Sequence, residues 1–228
     1  MAVAKTDLQS LPLFRDLSED EVKRFLRQTG ATTKSYARGA RVLKMYEPNS
    51  NIGVVVDGAA QIVSEDRMGN ETIGHRLDPG AIIGSTAAIL HLEGNLTSVV
   101  ALSEIKVLWI PYQALLVAGP KLNRIHGIVM RNMLEAFCMK NILMMEKIEM
   151  LSHRSLRKRV ILYLLQNEKR QRNEDGTVKV PGRVQLAKEL ECNRSALTRE
   201  IGNMKRDGIL TCGRHWMKLD KDKITDDG

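Results

Sequence analysis

The chain has few of the features that mark secreted, membrane or metal-binding proteins. Its 228 residues include only three cysteines, which lie far apart at Cys138, Cys192 and Cys212. The sequence has neither a CxxC pair nor a Cys/His cluster with metal-ligand spacing, so we expect no zinc site, no iron–sulfur cluster and no resident cofactor. An odd number of widely spaced cysteines fits the reducing cytoplasm better than a disulfide framework.

Long apolar segments are also lacking. The first ten residues have no apolar core, so we expect no signal peptide. No run of about 18 apolar residues predicts a membrane span. The sequence offers no nucleophile–base pair, no paired acids at a useful spacing and no metal cluster, so an enzyme with its active site in a barrel is the least supported class. We therefore expect a cytoplasmic protein that is not an enzyme.

The positive charge of the chain is concentrated in its last third. The net charge is +8; residues 151–228 hold 18 Lys and Arg against 11 Asp and Glu, whereas residues 1–150 hold 17 against 16. A basic segment beside a nearly neutral one is typical of a polyanion-binding module attached to another domain. The alternative is a surface whose charge only keeps the protein in solution.

Residues 184–210 predict two short amphipathic helices joined by a tight turn. Apolar residues with a period of about 3.6 would bury one face of each helix; they are Leu186, Ala187, Leu190, Leu197, Ile201 and Met204. Asn193 ends the turn, and we expect its side chain to cap the second helix. The residues predicted to project from the start of that helix are Arg194, Ser195, Thr198 and Arg199. Short donors and long cations at this place are what a reader of DNA base edges needs.

The flanking segments complete a small domain. Residues 156–167 predict a helix before this pair, and residues 208–211 and 216–219 predict two strands around a turn. A hairpin that follows the second helix is a wing. The last domain is therefore predicted to be a winged helix-turn-helix.

Residues 31–112 predict an antiparallel β-barrel or jelly roll. Short β-branched runs alternate with turn signals at a spacing of about ten residues, which is typical of such folds. The runs are 41–45, 52–56, 60–64, 72–76, 98–102 and 106–110. A helical segment over 7–30 precedes them, with Ser18 and Glu21 spaced as a capping box. A small barrel often encloses one ligand; the alternative is a barrel that is only a packed spacer.

A helix without internal proline is predicted from Pro120 to about Leu151, and it carries two apolar stripes. One comprises Met130, Leu134, Phe137, Met144, Ile148 and Leu151, with Asn141 at the missing step. The other comprises Leu122, Ile125, Val129, Met133, Ala136 and Leu143, with Lys140 at the missing step. One stripe can cover the barrel, and we expect the other to pair with a second copy of the chain. The pattern does not decide between them.

The order of barrel, long helix and winged domain resembles the Crp/Fnr family of bacterial transcription regulators over nearly the whole chain. The resemblance is carried by Leu11-Pro12-Leu13-Phe14 with Leu17-Ser18, by Asp57-Gly58, by Asp78-Pro79-Gly80 with Gly84, by Val99-Val100-Ala101-Leu102 and by residues 184–210. It implies an α+β fold with a β-roll effector domain over 1–119, a dimerisation helix over 120–151 and a winged helix-turn-helix over 152–228. The implied partners are double-stranded DNA, a second copy of the chain and RNA polymerase. No membrane association is implied.

The resemblance also assigns roles in DNA binding by position. It gives base reading to Arg194 and Arg199 and a phosphate contact to Arg183. The full predicted DNA-binding set is Arg183, Asn193, Arg194, Ser195, Thr198 and Arg199. Family members usually carry glutamate where Ser195 stands. Because serine is less selective than glutamate for cytosine, we expect a different preferred half-site.

The predicted effector pocket departs further from the family. Cyclic-nucleotide binders of the family carry Gly-Glu, Arg-Ser and Thr-Ser pairs for the ribose, phosphate and base, whereas this chain has Gly84-Ser85, Asn95-Leu96 and Met144-Met145. An anionic phosphate inside a barrel needs a cation or aligned amides, and no arginine lies between Gly84 and Ile110. Cyclic AMP is therefore not the expected effector.

One cation on the long helix, Lys140, could still face the pocket and bind a small anion; the alternative is an ordinary surface lysine. The predicted pocket residues are Ile83, Gly84, Ser85, Leu96, Thr97, Lys140, Met144 and Met145.

Together these features predict a homodimeric, sequence-specific transcription regulator that binds a pseudo-palindromic site and responds to a small molecule other than cyclic AMP. The effector would shift the long helices against each other and set the separation of the two reading helices at about one DNA turn, roughly 34 Å. Two alternatives stay open. One is a constitutive regulator with a purely structural barrel, and the other is a redox-responsive regulator that uses Cys138 or Cys192.

Overall fold

The computed structural model of the chain describes residues 8–66, 68, 71–117 and 123–224. The chain divides into two units, Met1–Phe137 and Cys138–Gly228, and the division falls inside one long helix. Part of the predicted turn at 68–70, the predicted helix start at Pro120 and most of the segment inspected for a signal peptide lie outside the described residues. None of the helices within these ranges combines the length and apolar character that a membrane crossing requires.

Two four-stranded antiparallel sheets build the first unit. The strands are β1 (Thr32–Tyr36), β2 (Arg41–Leu43), β3 (Asn51–Asp57), β4 (Ala60–Glu65), β5 (Glu71–Leu77), β6 (Ile82–Ile83), β7 (Ser98–Ala101) and β8 (Ile105–Pro111). One sheet has the order β1-β8-β3-β6 and the other β2-β7-β4-β5. Apolar side chains from both sheets form one core cluster. The predicted antiparallel β-roll is therefore confirmed.

Helices precede and follow the strands, and one lies between β6 and β7. They are α1 (Glu19–Thr29), α2 (Ser85–Leu90), α3 (Tyr112–Leu116) and α4 (Asn123–Ser152). The capping box at the start of α1 is confirmed, because the Ser18 Oγ accepts from the Glu21 N–H while the Glu21 carboxylate accepts from the Ser18 N–H. The helix predicted over 7–30 is shorter than expected. Two 3₁₀ turns, Leu8–Ser10 and Pro12–Phe14, come before α1, and Asp16 has a φ of +69° that no helix continues.

Strands β3 and β8 are buried on both faces, which explains their nearly continuous apolar sequence. Val55 and Val107 belong to the core between the two sheets. Val54 and Leu108 belong to a second core that α1 and α4 share. Successive side chains of a strand point to opposite faces, so the helices cover the outer face of the β1-β8-β3-β6 sheet.

One of the two apolar stripes of α4 covers the first unit. The residues of this stripe that are buried in the core are Ile125, Val129 and Met133. Asn132 fastens the helix beside them, because its Nδ2 donates to the carbonyl oxygens of Leu13 at 3.1 Å and Arg15 at 2.8 Å. The structure therefore decides which of the two stripes packs against the β-roll, a choice that the apolar pattern left open.

The other stripe of α4 lies largely open to solvent. Leu134, Met144 and Ile148 are 57%, 56% and 66% exposed, whereas Phe137 is only partly buried. These exposed apolar side chains lie between Leu134 and Ile148 of α4 and form the kind of patch that often marks an interaction surface.

The second unit combines three further helices with a three-stranded sheet. The helices are α5 (Leu156–Gln171), α6 (Arg183–Glu189) and α7 (Arg194–Arg206), and the strands are β9 (Val178–Lys179), β10 (Leu210–Cys212) and β11 (Trp216–Leu219). The sheet is antiparallel in the order β10-β11-β9. Helices and sheet share one apolar core. The helices and the hairpin that the sequence predicts for this region are all present.

Candidate nucleic-acid interface

The α6–turn–α7 segment is anchored by the residues that the apolar pattern selects. These residues are all at most 4% exposed: Leu186, Ala187, Leu190, Leu197, Ile201 and Met204. The turn between the helices depends on Glu191, which has a φ of +49°. A left-handed residue reverses the chain within a short turn, so α7 starts at a defined place against the core.

Asn193 holds the predicted N-cap position but does not cap with its side chain. Its backbone is extended, with φ −71° and ψ 138°, and its carbonyl accepts from the Leu197 N–H at 3.0 Å. The expected side-chain bond to the first turn is absent in this described segment, so that part of the prediction is wrong. Residue type and position identify the cap, but the side-chain rotamer decides whether the bond forms. The exposed Asn193 amide is consequently left available to a partner.

A network of charged bonds holds α7 against α5. The Arg157 guanidinium lies 2.7 Å from the Glu200 carboxylate and 2.6 Å from that of Asp207. Its hydrogen bond to Glu200 is the main cause that raises the pKa of Arg157. Arg159 donates to the Leu190 carbonyl at 2.8 Å. Arg157 therefore fixes the inner side of α7, and Arg159 fixes the end of α6 beside it.

The outer face of α7 is cationic, and its long donors are free. Arg194, Ser195, Thr198 and Arg199 are all exposed. Within the described part of the chain, the side chains of Arg194 and Arg199 form no hydrogen bond or ion pair. The Thr198 hydroxyl donates to the Arg194 carbonyl at 2.8 Å, so it can only accept from a partner. Free guanidinium forks have the geometry that binds two acceptors of a guanine edge or of a phosphate.

Arg183 lies on a different element from these residues. It is the first residue of α6 and is partly buried. Its guanidinium lies 3.8 Å from the Cys212 Sγ on β10. The predicted phosphate contact thus stands at the end of the hairpin, while the predicted base contacts stand on α7.

Sequence reasoning missed two cations of the α7 face. Lys205 and Arg206 are exposed and follow Arg199 by six and seven residues, about two helical turns. The helical period that selected the buried residues predicts this face equally well. The basic face therefore extends along most of α7.

The predicted pocket residues of the first unit lie at two places. Ile83 is buried in the core between the sheets, Gly84 has a φ of +69°, and Ser85 begins α2. Leu96 is 59% exposed, and Thr97 is partly buried. Lys140, Met144 and Met145 belong to the second unit, where all three are exposed on α4.

Two asparagines bond the loops at the predicted pocket to each other. Asn95, only 4% exposed, donates from Nδ2 to the carbonyl oxygens of Lys44 and Glu47, both at 3.1 Å. Asn49 donates from Nδ2 to the carbonyl of Gly84 at 2.9 Å. A Cβ added at Gly84 would lie 2.6 Å from that nitrogen. The side-chain amides of both asparagines therefore donate to backbone carbonyl oxygens of the chain itself.

Apolar side chains from both sheets pack together around Trp109. Trp109 is 8% exposed and donates from Nε1 to the Tyr36 hydroxyl at 3.0 Å. Its ring and the Ile83 side chain each lie 2.7 Å from where a Cβ on Gly53 would stand. Glycine at position 53 is thus required by close packing. The core is therefore closely packed where Gly53, Ile83 and Trp109 meet.

The cysteines differ in their surroundings. Cys138 is exposed, whereas Cys192 and Cys212 are partly buried. Burial raises the pKa of the Cys192 thiol. Because the thiolate is the reactive form, this position does not favour a reactive cysteine.

Comparison with known proteins relates most of the chain to one fold. The family model of the cyclic nucleotide-binding domain matches residues 33–118. No curated protein sequence matches the chain.

Solved structures extend the likeness beyond this domain. The chain is 20% identical to the catabolite activator protein of Thermus thermophilus, with 92% of this chain and 94% of that chain covered and a TM-score of 0.51. It is 15% identical to CLP, a c-di-GMP responsive global regulator of Xanthomonas campestris, with 89% and 99% covered and a TM-score of 0.58. It is 14% identical to CprK complexed with OCPA, with 88% and 91% covered and a TM-score of 0.64. At these identities the likeness establishes the fold.

Proposed function

We propose that the chain is a sequence-specific, DNA-binding transcription regulator of the Crp/Fnr type, with a winged helix-turn-helix as its output domain. The observation that carries the proposal is the exposed basic face of α7. Arg194 and Arg199 stand there with free guanidinium groups, while Arg157 fixes the opposite side of the helix. A rigid helix with free bidentate donors on one face suits the major groove of DNA.

Each residue of the site has a proposed role. Arg194 and Arg199 bind guanine O6 and N7, and each such pair is worth about 1–3 kcal/mol of discrimination. Arg183 binds a phosphate and fixes the register. The Ser195 hydroxyl and the Asn193 amide make shorter contacts near the start of α7, and Thr198 offers an acceptor and a methyl group.

The regulator is proposed to act as a homodimer through the helix over 120–151. The exposed stripe with Leu134, Met144 and Ile148 provides the apolar surface. Asn141 is exposed on the same helix, and a polar residue in such a seam fixes the register of the two helices. Two copies related by a two-fold axis would read a pseudo-palindrome whose half-sites are about one DNA turn apart.

Selection of bound sequences from a random duplex library tests this proposal. We expect enriched sites with two inverted half-sites and a steep loss of affinity with rising salt. Enrichment of single asymmetric sites would contradict the dimer. No enrichment at all, with equal affinity for every duplex, would contradict sequence-specific binding.

For the input, we propose a small molecule other than cyclic AMP. The positions that would meet a ribose and a phosphate are Gly84-Ser85 and Asn95-Leu96, which carry no cation, and the Asn95 amide is used by the chain itself. Isothermal titration calorimetry of the purified protein with cyclic AMP, c-di-GMP and OCPA tests this proposal. We expect no heat with cyclic AMP; micromolar binding of cyclic AMP would refute the proposal.

A second candidate is a constitutive regulator whose β-roll only supports the dimer. The packed interior around Trp109 and the loop bonds of Asn95 favour it. The two candidates are separated by measuring DNA affinity before and after the protein is unfolded in denaturant, dialysed and refolded, which strips any retained ligand. Unchanged affinity supports the constitutive regulator, and an affinity restored only by a small-molecule extract supports the effector.

In the cell, the proposed regulator would act in the cytoplasm on double-stranded DNA and would contact RNA polymerase. Redox control is the weakest input, because burial raises the pKa of the Cys192 thiol. The exposed Cys138 is the remaining candidate for such control.

A further inference from the structure

Gly202 is a glycine in the middle of α7, on its exposed basic face. It lies one helical turn from Arg199 on one side and from Arg206 on the other, and all three residues are exposed. Its backbone is helical rather than left-handed. The backbone conformation at this position therefore does not require a glycine.

No residue that the structure describes requires a glycine at this position. A Cβ added at Gly202 would meet no heavy atom of the described chain within 4 Å. By contrast, a Cβ at Gly53 would lie 2.7 Å from the Trp109 ring. Glycine also disfavours a helix, because it loses more backbone freedom than alanine on folding. Gly202 thus weakens α7 without a compensating contact to any residue in the described ranges.

We propose that Gly202 is the point at which α7 comes closest to DNA, with the sugar–phosphate backbone lying against its bare main chain. The inference rests on the proposed function and deepens it. An α-helix with side chains is about 10–12 Å across, and the major groove is about 12 Å wide. A side chain directed at the groove wall therefore limits how deeply the helix can enter.

The position of Gly202 along α7 indicates contact with the DNA backbone rather than with the bases. In this docking mode the first residues of the reading helix contact base edges, and Gly202 follows Ser195 by about two turns. Arg206, one turn further along α7, would pair with a neighbouring phosphate, while Arg199 on the other side reads the base edge. The proposed contact fixes the position of the helix and carries no sequence information.

Two substitutions, Gly202→Ala and Gly202→Gln, test the inference in the full-length protein. The alanine variant should melt a few degrees higher, because alanine favours the helix, yet it should bind DNA more weakly. The glutamine variant should lose affinity on the order of tenfold, as for one mismatched base pair. The loss should be equal for the selected site and for an unrelated duplex, both measured by fluorescence anisotropy at the same salt concentration.

Gly127 provides the matched control. It is also an exposed helical glycine with open space at its Cβ, but it lies on α4 in the first unit. Gly127→Ala should raise the melting temperature and leave DNA affinity unchanged. Wild-type affinity of Gly202→Gln for both duplexes would overturn the inference, and a loss confined to the selected site would overturn contact with the backbone. Failure of the unmodified protein to bind any duplex would instead refute the proposed function.

Discussion

Two arginines of the second unit should respond in opposite ways to the same substitution. Arg157 is 26% exposed at its side chain and bonds the carboxylates of Glu200 and Asp207. Arg199 is exposed and bonds no side chain of the described residues. Methionine at either position keeps the apolar length of the side chain and removes one positive charge. The two variants therefore alter the charge of the protein equally, and each serves as the control of the other.

The expected magnitudes follow from these contacts. Arg157→Met leaves the Glu200 carboxylate, 20% exposed, without its ion-pair partner. Hydrogen bonds to charged groups are worth about 1.5–3 kcal/mol, and solvent screens the Asp207 contact, so we expect a loss of about 2 kcal/mol in the free energy of unfolding. Arg199→Met removes no hydrogen bond or ion pair to the residues that the structure describes and should change that free energy by less than about 0.5 kcal/mol. It should weaken binding to the selected site by about 1–3 kcal/mol.

Urea denaturation followed by circular dichroism measures the first quantity, and fluorescence anisotropy with a labelled duplex at constant salt measures the second. DNA binding by Arg157→Met is measured well below its melting temperature, where we expect less than a threefold change. Equal destabilisation by the two substitutions would refute the role of Arg157 in holding α7 against α5. Wild-type affinity of Arg199→Met for the selected site would refute the assignment of the other to base reading.

Three further outcomes test the fold and the proposed assembly. Gly53→Ala should destabilise the protein by about 1–3 kcal/mol, because its methyl group would press on the Trp109 ring; an unchanged urea midpoint would contradict the packed interior. Ile148→Glu should convert the proposed dimer to monomer in sedimentation velocity, because the change puts a charge into the exposed apolar stripe; a dimer that stays intact would exclude this stripe from the interface. Iodoacetamide at pH 8 should modify Cys138 faster than Cys192 by mass spectrometry, since Cys138 is exposed whereas partial burial shields Cys192 and raises the pKa of its thiol; equal rates would contradict the shielding of Cys192.

Local patterns predicted the second unit well. The spacing of Leu186, Leu197 and Met204 located both helices of the pair, because residues three or four apart share one face of a helix whatever surrounds it. The capping box at Ser18 is equally local and was predicted equally well. The side chain of Asn193 was predicted wrongly, since several rotamers are open to an exposed residue at the same backbone position.

Short or exposed elements escaped the patterns. Strand β1 is polar and almost wholly exposed, and β6 has only two residues. Such segments carry no alternation of apolar and polar residues. Their pairing depends on partners far along the chain, with β1 bonded to β8 and β6 to β3.

The sequence by itself determined the order of the β-roll, the long helix and the helix pair, and it predicted a cationic face at Arg194 and Arg199. Only the tertiary structure decided which stripe of α4 is covered, because both stripes have the same period and differ only in what packs against them. It also decided that Trp109 packs closely over Gly53 and that the Asn95 amide donates to carbonyl oxygens of the chain itself. These contacts join residues roughly fifty or more positions apart, and no local pattern records them.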